Sequence, residues 1–375
     1  MQLRIVLLTC LILGTMMARG VAMAQNAPTG NDFLQWAQDT QNRIITEFAI
    51  PDSNLYADKI TVGKPASGPA FMWGCGILLP SFVGAAKLMP DTYMEDLNNY
   101  LEGLKVYWVN SRNVSGFNVL PKPSPPDRYY DDNEWMVIAL IGAYEDNHNI
   151  QTLRWAEDTF KFVLSGMDNQ LGGGIYWHEQ KRDSKNTCSN APAIVGALRL
   201  YQVTRQKKYL DVAQRLYTWV NAHLQDPSGL YYDNIKLNGT VEKTEWSYNS
   251  ALMIRANVLL YAVTNQESYL KEAERIATAA EAKWIDPNTG AFIHDGGVFA
   301  HLLAESFLSL YDQDKNPHWL QIVQKGLAYL HANCRDANGN YPDSWSVPVT
   351  EPLKTVKLID MASVARAYWL TAGYP

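Results

Sequence analysis

Asp131 and Asp132 stand side by side in the stretch "RYYDDNEW", with Glu134 two residues on and the apolar run "MVIALIGAY" close behind. Carboxyls at the mouth of a helix can serve the helix itself, by accepting hydrogen bonds from first-turn amides and complementing the positive end of its dipole. They can also do chemistry. An adjacent like charge raises one pKa of a pair, so one carboxyl stays ionised while its neighbour keeps a proton. A nucleophile beside a general acid/base is what glycoside hydrolysis requires. Successive residues in a helical turn hold their carboxyls on the order of 5 to 6 Å apart, nearer the retaining spacing of about 5–5.5 Å than the wider inverting one. In an extended strand they would point to opposite faces. Glu134 reads as a further cap of the same helix or as a group that orients an aspartate.

Other suggestive residues carry less. The "GGG" of Gly172 to Gly174 reads as a tight turn, because no Lys-Ser pair follows it as a phosphate loop requires. The "DANGN" beginning at Asp336 lacks the spaced acidic ligands and closing Glu of a calcium loop. His294 and His301 read as hydrogen-bonded structural or cleft residues, and neither HExxH nor a Cys/His cluster with zinc spacing occurs. The expectation is therefore no metal and no cofactor. Beyond the expected signal segment, which holds Cys10, the cysteines Cys75, Cys188 and Cys334 are odd in number and far apart, which argues against a disulfide framework while leaving room for one bridge.

The elements that would position the aspartates show as a repeat. Tyr201 and Tyr261, Tyr209 and Tyr269, and Asp226 and Asp286 each stand 60 residues apart. Each unit runs as an apolar helix, a short polar turn, an amphipathic helix and a "DP..G" turn, which is a helical hairpin. Looser copies begin at "EWMVIALIGAYED", at "FAHLLAESFLSLYD" and at "AFMWGCGILLPSFV". The first helix, "NDFLQWAQDTQNRIITEF", and the last, "KLIDMASVARAYWLTAG", are left single and can pair by closing a ring. With 3.6-residue apolar spacing throughout and few strand patterns, the fold class expected is all-α, an (α/α)6 barrel of six hairpins. An open solenoid would expose apolar end faces.

In such a barrel the inner helices run the same way, so the loops before them share one face. Those junctions read "GPAFMWG", "RYYDDNEW", "SKNTCSNAP", "TEWSYNSA", "HDGGVFAH" and "YPDSWSV" with "LIDMAS", far richer in Trp, Tyr, Asn and Asp than the opposite turns such as "VTRQKKY". The chain's 12 Trp and 21 Tyr against 10 Phe suit the edge of a core, and also suit a sugar cleft, where flat rings meet pyranose C–H faces. The substrate-binding candidates on this face are Trp73, Tyr130, Trp135, Trp177, Asn190, Trp246, Tyr248, Asn249, Asp295, Phe299, Asp343 and Trp345. Trp135 serves core or cleft wall equally well.

The chain opens with Arg4, an apolar stretch from Ile5 to about Met17 and small residues at Ala22 and Ala24, the pattern of a secretory signal peptide over 1–24. That stretch is short of the roughly 18 apolar residues a membrane span needs. The remainder, 25–375, shows no linker and reads as one catalytic domain, exported to a periplasm or secreted, monomeric and without a membrane anchor once the signal is cut. A net charge of −6 with no basic cluster excludes the footprint of a nucleic-acid binder. Asn113 and Asn238 head sequons that matter only in a glycosylating host.

Taken together, "YYDDNEWMVIALIGAYE", "GGGIYW", "KNTCSNAPAIVGALRLYQVT" and "YNSALMIRANVLLYAVT" resemble glycoside hydrolase family 76, the alpha-1,6-mannanases and related transglycosidases. The resemblance covers nearly all of 25–375. It implies an (α/α)6 barrel, a retaining mechanism and alpha-1,6-linked mannan as the polysaccharide or oligosaccharide partner. It also implies that Asp131 is the nucleophile and Asp132 the acid/base, an order that spacing alone leaves open, with Asn190, Tyr248 and Asn249 in the cleft. One departure is that Phe299-Ala300-His301 stands where many members have Phe-Lys-Gly. The leading reading is an endo-acting mannanase. The alternatives are a cell-wall transglycosidase, an unsaturated uronyl hydrolase or similar (α/α)6 sugar enzyme, and a non-catalytic glycan binder. The ending "WLTAGYP", without a hydrophobic tail, favours hydrolysis over anchored transglycosylation.

Overall fold

The structure is a computed structural model and describes residues 28–375, so the expected signal segment lies outside the described residues. Among the described residues twelve α-helices follow one another: α1 (Gly30–Arg43), α2 (Met72–Leu88), α3 (Pro90–Gly103), α4 (Tyr130–Asn147), α5 (Ile150–Leu164), α6 (Thr187–Thr204), α7 (Lys207–Leu224), α8 (Ser247–Thr264), α9 (Glu267–Trp284), α10 (Gly297–Asp314), α11 (Pro317–Asn333) and α12 (Leu358–Ala372). The even-numbered helices pack on one another in the order α2, α4, α6, α8, α10, α12 and back to α2. Each odd-numbered helix from α3 onward packs outside its predecessor, and α1 packs on α12, so the two unpaired ends of the repeat meet and close an (α/α)6 barrel.

The two layers differ as their sequences dictate. In α6 every residue from Thr187 to Leu198 is buried, because an inner helix has neighbours on all sides. In α7 only a stripe is buried, Tyr209, Val212, Ala213, Leu216, Trp219, Val220 and Leu224, at the spacing of one helical face. The inner helices α4, α6, α8 and α10 are each 18 residues long. They stop at His148, Arg205, Asn265 and Lys315, with φ of 53°, 59°, 57° and 56°, whose N–H groups each donate back to a tyrosine carbonyl one turn earlier. That left-handed cap reverses the chain into the outer helix.

Polar contacts help to tie the ring. Gln41 on α1 accepts from Ser81 Oγ on α2 at 2.6 Å and from Trp369 Nε1 on α12 at 3.4 Å, at the closure. Between three inner helices Glu305 of α10 accepts from Arg366 of α12 and lies 3.0 Å from Arg255 Nη1 of α8. Where helices meet most closely a glycine is required: a Cβ on Gly76 of α2 would stand 2.9 Å from the Trp135 Cβ of α4.

The loops before the inner helices hold more strand than their sequences suggest. Lys59–Thr61 pairs with Thr355–Lys357, Trp108–Ser111 with Val114–Phe117, and Asn234–Lys236 lies between Ser184–Asn186 and Val241–Glu242. These runs are two to four residues long, too short for a strand pattern, yet they satisfy backbone groups in long loops laid over the barrel mouth. Cys75, Cys188 and Cys334, the cysteines among the described residues, are buried and unbonded, so the bridge that the sequence allowed among them does not form. No helix among the described residues is long and apolar enough to cross a membrane.

Candidate active site

The start of α4 is fastened from two directions. Tyr130 N donates to the Trp177 carbonyl at 3.0 Å and Glu179 N to the Arg128 carbonyl at 3.1 Å, so the segment before Asp131 lies antiparallel to the segment carrying Trp177. Arg128, fully buried, donates to both Glu179 oxygens at 2.9 and 2.6 Å and to the Val114 and Ser111 carbonyls. On the other side Asn133 bonds both backbone groups of Phe117 and the Tyr129 carbonyl. Glu134 does not cap: it is 1% exposed, and neither carboxyl oxygen has a hydrogen-bond partner among the described residues.

The two aspartates have unlike surroundings. Asp131 Oδ1 accepts from the Asp132 amide at 3.0 Å, and Oδ2 accepts from Trp177 Nε1 at 2.9 Å and from the Cys188 thiol at 3.6 Å. Burial pushes its carboxyl up to about 6, with those donors pulling the other way. Asp132 accepts no hydrogen bond from the described residues. Burial first, then the Asp131 and Asp127 charges, hold it well above the usual carboxylate range. The donors favour the ionised form at Asp131, and burial beside that charge favours the protonated form at Asp132.

Both line a cleft of about 770 Å³ at the barrel mouth. Of the sequence candidates it brings together Trp73, Trp135, Trp177, Tyr248 and Phe299. Phe299 stacks on Tyr248 at 4.3 Å and on Trp73 at 5.9 Å between ring centroids, so a row of rings crosses from α8 over α10 to α2. The remaining candidates are not in the lining. Tyr130 is buried, stacked on Phe162, because its neighbour in the helix takes the cleft-facing position. Asn190 is buried and bonds Ile175 N, the Ile175 carbonyl and the Asn186 carbonyl, repeating the fastening role of Asn133. Asn249 is buried with its amide unpartnered among the described residues. Asp295 accepts from the Ser247 amide at the start of α8. Trp246 packs on Phe299 from behind, at 5.5 Å. The Asp343 carbonyl accepts from Gly297 N, and Trp345 is buried edge-on to Phe292, both shaping the start of α10.

Residues 53–307, more than half of the chain, match the profile of glycosyl hydrolase family 76. The chain belongs to that family. Its fold overlays a GH76 alpha-mannanase of Bacteroides thetaiotaomicron with a TM-score of 0.85 and 33% identity, over 91% of this chain and 95% of that one. It also overlays a family 76 glycoside hydrolase from a bovine strain of the same species with a TM-score of 0.84 and 28% identity, over 91% and 77% of the two chains. Among curated relatives, the mannan endo-1,6-alpha-mannosidase of Candida glabrata is 30% identical over 169 residues, 42% of this chain. That match spans only 33% of the relative's length.

This family 76 cleft also uses residues that the sequence reading passed over. Phe71 and Tyr129 join its wall, Asn186 and Lys236 reach it from the short sheet beside α6, and Asp233 from just before that sheet's middle strand. A signal for that sheet was present, since Asn238-Gly239 between "YYDNIK" and "TVE" is a hairpin turn. Arg128 and Glu179, 51 residues apart, gave none.

Proposed function

We propose that this chain is a retaining, endo-acting glycoside hydrolase of alpha-1,6-linked mannan. Asp131 attacks the anomeric carbon while Asp132 gives its proton to the departing glycosidic oxygen. Asp132 then takes a proton from the water that opens the glycosyl-enzyme and releases Asp131. The observation that carries the assignment is the asymmetry of the pair: three donors hold Asp131, and none among the described residues reaches the Asp132 carboxyl. Hydrogen bonds to the ionised form favour the nucleophile at Asp131, and burial beside that charge keeps the acid protonated at Asp132.

Mannan as the substrate is supported by the activity named for the relatives, and the row of rings from Tyr248 to Trp73 suits pyranose faces. Endo action is supported by walls on both sides of α4: Phe71 and Trp73 from the α2 side, Trp177 and Asn186 from the α6 side. On this reading 25–375 is one catalytic domain, exported by the 1–24 segment to meet its polymer outside the cytoplasm.

The test is incubation of the wild type, Asp131→Asn and Asp132→Asn with unbranched alpha-1,6-mannan and, separately, with unsaturated uronide oligosaccharides. The wild type is expected to cut only the mannan, into a ladder of oligosaccharides, and each variant to lose activity by about 10²–10⁴-fold or more. Full activity in both variants would reduce the pair to helix capping. Mannose as the sole product would overturn endo action, and transfer to added sugar acceptors in place of hydrolysis would favour the transglycosidase.

A further inference from the structure

Cys188 is the second residue of α6 and lines the cleft, although only 4% of it is exposed. Its Sγ lies 3.6 Å from Asp131 Oδ2, the same oxygen that receives Trp177 Nε1 at 2.9 Å. The second carboxyl oxygen is held by the Asp132 amide at 3.0 Å. These three contacts come from three elements: the first turn of α4, the loop carrying Trp177, and α6. Among the described residues neither other cysteine donates to a carboxylate: Cys75 faces the Ala70 carbonyl, and Cys334 closes α11.

We propose that Cys188 is a positioning residue for the reaction, its thiol donating the hydrogen bond that fixes the Asp131 carboxylate from the α6 side. This rests on the reading of Asp131 as nucleophile. A thiol suits the place because S–H is a weak donor. It orients the carboxylate at a long distance and withdraws less charge from the attacking oxygen than a hydroxyl or an amide would. Burial and the Asp131 charge keep the thiol well above its usual range, so it remains a donor throughout the working pH range.

The test compares Cys188→Ala and Cys188→Ser with the wild type. Melting curves first establish that each is folded. On alpha-1,6-mannan oligosaccharides, Cys188→Ala is expected to lose about fivefold to tenfold in kcat with KM little changed. Because a lost donor raises the pKa of a carboxylate, its acid limb in kcat/KM moves to higher pH, by about half a unit. Cys188→Ser restores a donor and brings the limb back to the wild-type position or below it. A folded Cys188→Ala with wild-type kcat and an unmoved acid limb overturns the proposal, as does a Cys188→Ser that shifts like the alanine. Carboxylate titration of Asp131 by infrared difference against Asp131→Asn needs no turnover. If the wild type leaves mannan uncut but this titration moves in Cys188→Ala, the mannanase reading fails and the thiol contact stands. If mannan is cut and neither readout moves, the thiol inference fails by itself.

Discussion

At the scale of the residue, Glu134 is the group whose role changes most between sequence and structure. It sits one helical turn below Asp131, buried, with no partner for either oxygen among the described residues. Burial and then the Asp131 charge hold its carboxyl well above the usual range. The consequence for stability has a definite sign. In the unfolded chain the group titrates near its ordinary value of about 4.3, whereas in the fold it keeps its proton to higher pH. Its contribution is therefore full below about pH 4 and is lost as pH rises toward the folded value, at about 1.4 kcal/mol per pH unit. Glu134→Gln removes that titration while keeping the shape. Relative to the wild type, the variant should melt at a similar temperature at pH 4 and at a higher one at pH 7. An equal difference at both pH values would mean that Glu134 is ionised in the fold.

At the scale of the element, what matters is how loops are pinned to helix starts. Asn133 and Asn190 occupy the fourth position of α4 and of α6, and each clamps a passing segment, at Phe117 and at Ile175. Asn190→Ala leaves the Ile175 amide and carbonyl unpaired in a buried place, which should cost about 2–4 kcal/mol in chemical denaturation. A folded sample should nevertheless retain a KM for mannan within about twofold, because no contact with the sugar has been removed. A large rise in KM with unchanged stability would return Asn190 to the cleft. This residue also shows what limited the sequence reading. An amide at a helix start looks alike whether it faces a sugar or a strand, and only the packing of residues far apart in the chain decides. The Asp131–Asp132 pair was legible because its meaning is local: two carboxyls at one helix start. Arg128, Glu179 and Cys188 were not legible in the same way, since their partners lie 51 to 57 residues away.

At the scale of the whole molecule, the barrel was readable because the repeat forces every inner helix to be apolar all round and every outer helix to be apolar on one stripe. The buried charge cluster between its inner helices was not. Glu305 is largely buried, with 12% of its side chain exposed, and desolvation opposes its ionisation, but Arg255 and Arg366 outweigh that and hold the carboxyl below its ordinary range. The trio joins α8, α10 and α12. Glu305→Ala would leave two guanidinium groups buried without their shared counter-ion, a loss of about 3–5 kcal/mol measurable by urea unfolding. An unchanged midpoint would mean that water already serves those cations.

The barrel delivers six helix starts to one mouth, and one of them presents two adjacent aspartates in unlike surroundings. Whether that pair works by double displacement is read most directly from the anomeric configuration of the first product. Proton NMR of early hydrolysis of an alpha-1,6-mannan oligosaccharide should show the alpha anomer appearing first, with the beta anomer growing only as mutarotation proceeds. A beta anomer appearing first would contradict the account, because it would require water to attack directly and would leave Asp131 no covalent role.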